Sequence, residues 1–211
     1  MLKKIILIIT IFMMPIITNA QNIEELPPKV TILGIDEKEY DITKTITAKD
    51  VIVTVNKKNS KDSYSWTFNK NKIKDNLVLN FNIKYNSSKE QEIKNIVGDT
   101  KNNLYLEFSQ QGVLPTTATI KMYVGNYYQD NEKLYLYYYN EDNDKVEFIS
   151  KNLIVDKGYV TFTINHCSNY FLTTTIVNNA INNPKSINTI IMFLILVVIS
   201  LVAVILFSNK K

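Results

Sequence analysis

The chain has 211 residues with one cysteine, one histidine and no arginine, so all 24 of its basic side chains are lysines. A lone Cys excludes an intramolecular disulfide, and one His with one Cys excludes a structural zinc site. The formal charge of +4 comes from two lysines at each terminus; between the hydrophobic ends 20 lysines balance 20 carboxylates, which excludes the basic, arginine-forked surface that grips nucleic acid.

The chain opens on Met1-Leu2-Lys3-Lys4, a short basic segment, then a thirteen-residue apolar run from Ile5 to Ile17, then Thr18-Asn19-Ala20. This is the order of a secretory signal peptide, with small residues where the peptidase reads them. Residues 1–20 are therefore expected to be removed, leaving Gln21 as the N-terminus. An uncleaved anchor is the alternative, but thirteen residues interrupted by Pro15 are short against the roughly 20 that span a bilayer. No cysteine follows the cleavage site, so this is not a lipoprotein signal.

Residues 21–29, with Pro27-Pro28, read as an extended lead-in. Apolar runs then recur roughly every eight to twelve residues with turn residues between them. Val30–Ile35 and Val51–Val55 are the first of these. Tyr64-Ser65-Trp66-Thr67-Phe68 alternates aromatic and hydroxyl side chains. Leu77–Ile83 sets Leu77, Leu79, Phe81 and Ile83 against Val78, Asn80 and Asn82, the pattern of a half-buried strand.

One helix interrupts the series. Ser87 as N-cap with Glu90 three residues on reads as a capping box, Ile93, Ile96 and Val97 share a face, and Gly98 ends it. Strands resume at Leu104–Phe108, Thr117–Val124, Lys133–Tyr139, Val146–Ile149, Leu153–Val155, Tyr159–Ile164 and Tyr170–Val177. Asn140–Asp144 and Asp156-Lys157-Gly158 supply polar hairpin tips. The spacing predicts a mainly β domain over 30–177: an antiparallel β-sandwich of the immunoglobulin-like kind with one short helix. Two subdomains, 30–86 and 104–177, are the alternative division.

Residues 178–186 form a polar tether to the last segment. From Ile190 to Phe207 nothing is charged, only Ser200 is polar, and fifteen of the eighteen residues are Leu, Ile, Val or Phe. As a helix this run is about 27 Å long, close to the hydrocarbon thickness of a bilayer. Residues 187–207 are expected to cross the membrane once. Residues 208–211, ending Lys210-Lys211, would then form the cytoplasmic tail.

Three stretches carry a resemblance: Leu114 to Gly125 (LPTTATIKMYVG), Lys133 to Asn140 (KLYLYYYN) and Gly158 to Thr173 (GYVTFTINHCSNYFLT). Together, over about Tyr64 to Thr175, they resemble a module of cell-surface proteins of clostridia and related Gram-positive bacteria. The lysine-, asparagine- and isoleucine-rich composition of an AT-rich genome agrees with that. The resemblance implies a stalk or membrane-proximal spacer with no defined activity, often followed by a sortase signal of the form NPKTG, an apolar helix and a basic tail. Here Asn183-Pro184-Lys185-Ser186 stands in that place and Ile187 follows it. Ser186 replaces the scissile Thr and Ile187 the Gly, and a β-branched neighbour at the scissile carbonyl should misplace it in a narrow groove. Retention as a membrane protein and sortase-mediated wall attachment both stay open. Leu114-Pro115-Thr116-Thr117-Ala118 is also like a sorting motif, but it lies inside a strand pattern far from the apolar segment.

Little points to catalysis. His166 and Cys167 are adjacent, so in a strand they face opposite ways and cannot pair as base and thiol. His166, in register with Phe162 and Ile164, is expected to be a buried, hydrogen-bonded histidine, and Cys167 a quiet packed thiol. Asn140-Glu141-Asp142-Asn143-Asp144 is acidic enough for calcium but lacks the glycine and distal glutamate of an EF-hand loop, so a solvated tip is expected. No two carboxylates are marked as a glycosidase pair.

The 13 tyrosines are the most distinctive feature. Tyr135, Tyr137 and Tyr139 share one strand face, which suits either ordinary cross-strand packing or a stacking platform for sugar rings. The expectation is a non-enzymatic exported surface protein with a structural or adhesive domain and no cofactor. Its partner is the lipid bilayer and, beyond that, peptidoglycan, a surface glycan or another surface protein. The alternative is a carbohydrate- or peptidoglycan-binding module using the tyrosine face.

Overall fold

The computed structural model describes residues 28–74, 76–98 and 102–181. The expected signal peptide, the Asn183–Ser186 motif, the apolar segment and the basic tail lie outside them. Among the described residues, no helix is long and apolar enough to cross a membrane.

The protein is mainly β. Its strands are β1 (Val30–Leu33), β2 (Tyr40–Ile46), β3 (Asp50–Lys57), β4 (Ser63–Asn69), β5 (Leu77–Asn80), β6 (Ile83–Lys84), β7 (Asn103–Tyr123), β8 (Lys133–Asn140), β9 (Lys145–Ile154) and β10 (Tyr159–Thr173), with one α-helix, α1 (Glu90–Val97). Eight strands form one antiparallel sheet in the order β2-β3-β4-β7-β10-β8-β9, with β6 also paired to β7. β1 and β5 make a separate parallel pair.

The organising feature is the long pair β7 and β10. The sequence suggests two strands in each place; the structure has one strand of 21 residues and one of 15. Their register slips twice, between Ile164/His166 and between Cys167/Asn169, where β7 advances from Ala118 to Val113 and from Gly112 to Glu107. The extra β7 residues include Pro115, which cannot donate to a ladder, and the first slip ends beside Gly112, which has φ 80°. Such bulges bend a sheet. The first half (β2, β3, β4 and the facing ends of β7 and β10) therefore turns its apolar side toward the second (the other ends of β7 and β10, with β8 and β9). Trp66 of β4 meets Phe108 of β7 edge to face, ring centroids 5.4 Å apart, across that bend.

One core cluster fills the space between the halves. It joins Val53, Trp66, Phe81 and Ile120 to Leu106, Phe108, Leu136 and Leu172, so residues from 51–83 and 104–172 share it. The side assignment in Leu77–Ile83 follows the sequence pattern: Leu77, Leu79, Phe81 and Ile83 are buried while Val78 is exposed.

A second cluster covers the outer side of the second half. Tyr105, Tyr137, Tyr139 and Phe171 lie beneath Ile93 of α1 and beneath Val177 and Ala180 of the segment after β10. The central strands here are buried on both faces, which is why Leu134 to Tyr139 shows no polar alternation.

Two local readings need correction. Ser87 does not cap α1: the N-cap position is Lys89, with no side-chain cap bond. The Ser87 hydroxyl instead donates to Oδ1 of buried Asn169 (2.6 Å) and accepts from the Lys89 N–H, while Glu90 pairs with Lys94. Tertiary hydrogen bonding has taken the hydroxyl that the local motif needs. Gly98 does end the helix, at φ 78° with its N–H on the Lys94 carbonyl. β2 was not anticipated. It is an edge strand whose apolar alternation breaks at Lys44, and lysine on an edge is what discourages further strand pairing.

Candidate functional site

The tyrosine face of β8 is not an open platform. Tyr137 is 0 % exposed, stacked on Phe171 with centroids 5.0 Å apart and edge-on to Phe148 at 5.6 Å. Its hydroxyl accepts the Val177 N–H at 2.9 Å. Tyr139 is buried and donates to Asp144 at 2.6 Å, and Tyr135 packs half-buried against the same cluster. A sugar ring has no free face to stack on here, because α1 and residues 177–180 already occupy it.

The Asn140–Asp144 turn does not gather its oxygens. Glu141 accepts from the Asn169 side chain at 2.8 Å, Asp144 takes the Tyr139 hydroxyl, and Asn140 accepts the Asp142 N–H. Among the described residues no group of three or more His, Cys, Asp and Glu side chains comes together.

His166 departs from its expected place. The bulge after Ile164 breaks the register with Phe162, leaving the imidazole half-buried with its edge toward Tyr138 (5.1 Å), and its Nδ1 makes no hydrogen bond. Cys167 takes the inward position instead and is fully buried. Burial pushes its thiol up to about 12, so almost no thiolate exists at neutral pH. Iodoacetamide is expected to leave the native chain unmodified and to alkylate Cys167 only once the domain is unfolded. Rapid native labelling, read by intact mass, would contradict this.

A different set of tyrosines lines a partly enclosed concavity that carries polar groups. It encloses about 170 Å³ beneath the β3–β4 hairpin, where β6 crosses the end of the first half. Tyr64, Asn82 and Tyr85 form its wall, with Tyr40, Lys57 and Asp62 at its mouth. Tyr64 points inward because the alternation of β4 puts Tyr64, Trp66 and Phe68 on the core side. Pairing of β6 with Phe108 and Glu107 of β7 then brings Asn82 and Tyr85 alongside.

The buried Tyr64 phenol and the half-buried Tyr85 phenol are both fixed by the backbone. Tyr64 Oη accepts the Ile83 N–H at 3.1 Å, and the Tyr85 hydroxyl donates to the Ser63 carbonyl at 3.1 Å. Burial raises the Tyr64 hydroxyl well above its ordinary value against the opposing bond from Ile83. Burial and then the Asp62 carboxylate do the same for Tyr85, so both stay neutral donors at physiological pH. Lys84 at the rim is paired with Glu107 at 2.5 Å, and Asp62 accepts from Asn126 at 3.3 Å. Tyr127 stacks on Tyr85 with centroids 6.4 Å apart and an interplanar angle of 19°, and is 47 % exposed.

The sequence hides this constellation. Tyr64 reads as one residue of an alternating strand, Asn82 as the polar side of another, and Tyr85 lies beyond the end of that run. Only strand pairing puts them around one space.

The chain matches no protein-family model, and no curated protein or solved structure is significantly similar to it.

Proposed function

We propose that this is a non-enzymatic surface protein: an exported β-sandwich of the immunoglobulin-like kind, held at the cell envelope by the apolar segment 187–207. The observation that supports this reading is the way the chain leaves the domain. Val177 and Ala180 are buried on the second half, and Ile181 is stitched to the β9 edge, its N–H on the Val146 carbonyl at 2.8 Å and its carbonyl taking the Phe148 N–H at 2.9 Å. Ile187 lies six positions beyond Ile181, a reach of at most roughly 20 Å at about 3.3–3.6 Å per residue. A helix anchored at 187 would thus carry a domain fastened close to the bilayer along β9, as a structural or adhesive head requires.

Cell fractionation tests it. The ectodomain is expected in the membrane fraction, released by detergent and left behind by muramidase. Release as a ladder of wall fragments would instead assign Asn183-Pro184-Lys185-Ser186 to a sortase, and recovery of the full-length chain from the cytosol would overturn export.

A further inference from the structure

We infer that the pocket bounded by Tyr64, Asn82 and Tyr85 binds a single neutral sugar ring. The proposal does not depend on how the chain is anchored.

The Tyr64 hydroxyl carries the argument. It accepts a good bond from Ile83, but the acceptor for its own proton, Asn82 Oδ1, lies 3.5 Å away, against a usual O–H···O distance of about 2.7–2.8 Å. A buried phenol is seldom left with so weak a partner for its proton. The oxygen of a ligand hydroxyl set between Tyr64 Oη and Asn82 Oδ1 would accept from the one and donate to the other. Sugar hydroxyls do both at once; an ionised phosphate oxygen only accepts, and an ammonium only donates.

Size and charge agree. A space of about 170 Å³ is smaller than the roughly 300–1,000 Å³ of drug-sized sites and suits one ring. Lys57 and Asp62 at the mouth cancel, and Lys84 is held by Glu107, so no net charge calls for an ion. The walls are set before any ligand arrives, since the Tyr64 and Tyr85 hydroxyls are tied to backbone groups, which spares ordering cost on binding. Beside them Tyr127, backed by its stack on Tyr85, presents an open aromatic face to the apolar C–H side of a second ring in an oligosaccharide.

The test uses the full-length chain in lipid nanodiscs and saturation-transfer NMR with glucose, galactose, mannose and N-acetylglucosamine, with inorganic phosphate as the charged control. At least one sugar is expected to bind saturably and to outcompete phosphate. Tyr64→Phe, which removes only the hydroxyl, should weaken it about tenfold, the cost of one well-formed hydrogen bond. Tyr127→Ala, at an exposed position, should weaken the corresponding disaccharide while leaving the thermal transition where it is. Absence of saturable binding by all four sugars, binding indifferent to Tyr64→Phe, or a preference for phosphate would each overturn the assignment.

Discussion

Replacing Trp66 by alanine is expected to lower the stability of the domain by about 3–5 kcal/mol, as for other buried aromatic truncations. Trp66 is fully buried at the bend, where it meets Phe68 (6.1 Å), Phe81 (5.5 Å) and Phe108 (5.4 Å), one near-parallel and two edge-on contacts. No neighbour can collapse into the space without breaking the packing of both halves, so most of the cavity should persist. At about 2–4 °C per kcal/mol for a domain of this size, the thermal transition should fall by roughly 6–20 °C. Trp66→Phe separates packing from hydrogen bonding. It keeps most of the apolar bulk but removes the indole N–H that donates to the Phe81 carbonyl at 3.1 Å, a buried bond whose loss costs about 1–3 kcal/mol. Urea unfolding followed by circular dichroism reads both variants. A midpoint unchanged in Trp66→Ala would mean that the halves do not meet across this ring.

Tyr137→Ala is expected to cost a similar amount, about 3–5 kcal/mol, and to act at a particular place. The ring lies between Phe171 and Phe148, and its hydroxyl holds the backbone of Val177. Its loss should loosen residues 174–181, seen as faster amide exchange at Val177 and Ile181 and easier proteolysis after β10. Tyr137→Phe should loosen the same amides with a smaller loss, about 0.5–1.5 kcal/mol. An exposed binding platform predicts otherwise, since surface substitutions away from structural features change stability by about 0.5 kcal/mol or less. A near-neutral Tyr137→Ala would therefore restore the platform. If the variant instead releases the 174–181 segment, the same residue also governs how rigidly the domain sits on whatever holds its C-terminal end.

Much of this fold is written locally. Val51, Val53 and Val55, the Tyr64–Phe68 alternation and the two-sided Leu77–Ile83 stretch mark their strands by period alone, and each buries the face that its period indicates. The tip at Lys157-Gly158 is equally legible, because both residues sit at positive φ (52° and 78°), where glycine and a tight hairpin turn belong. The candidate site was far less legible. Tyr40, Tyr64, Asn82 and Tyr85 lie up to 45 positions apart and carry no motif, and in the tyrosine run that does stand out, 135–139, Tyr137 and Tyr139 are core and Tyr135 and Tyr138 pack half-buried against it.

From its residues alone the chain specifies antiparallel strands, one short helix ended by glycine, and an even balance of charge between its hydrophobic ends, because period, turn chemistry and composition act within a few residues of one another. What joined Leu104–Phe108 to Thr117–Tyr123 in a single bent strand, laid residues 177–180 over Tyr137 and gathered Tyr64, Asn82 and Tyr85 around a cavity was pairing between segments far apart in sequence. Whether a second apolar face meets water or another layer depends on what folds back upon it, and the face itself reads the same in either case.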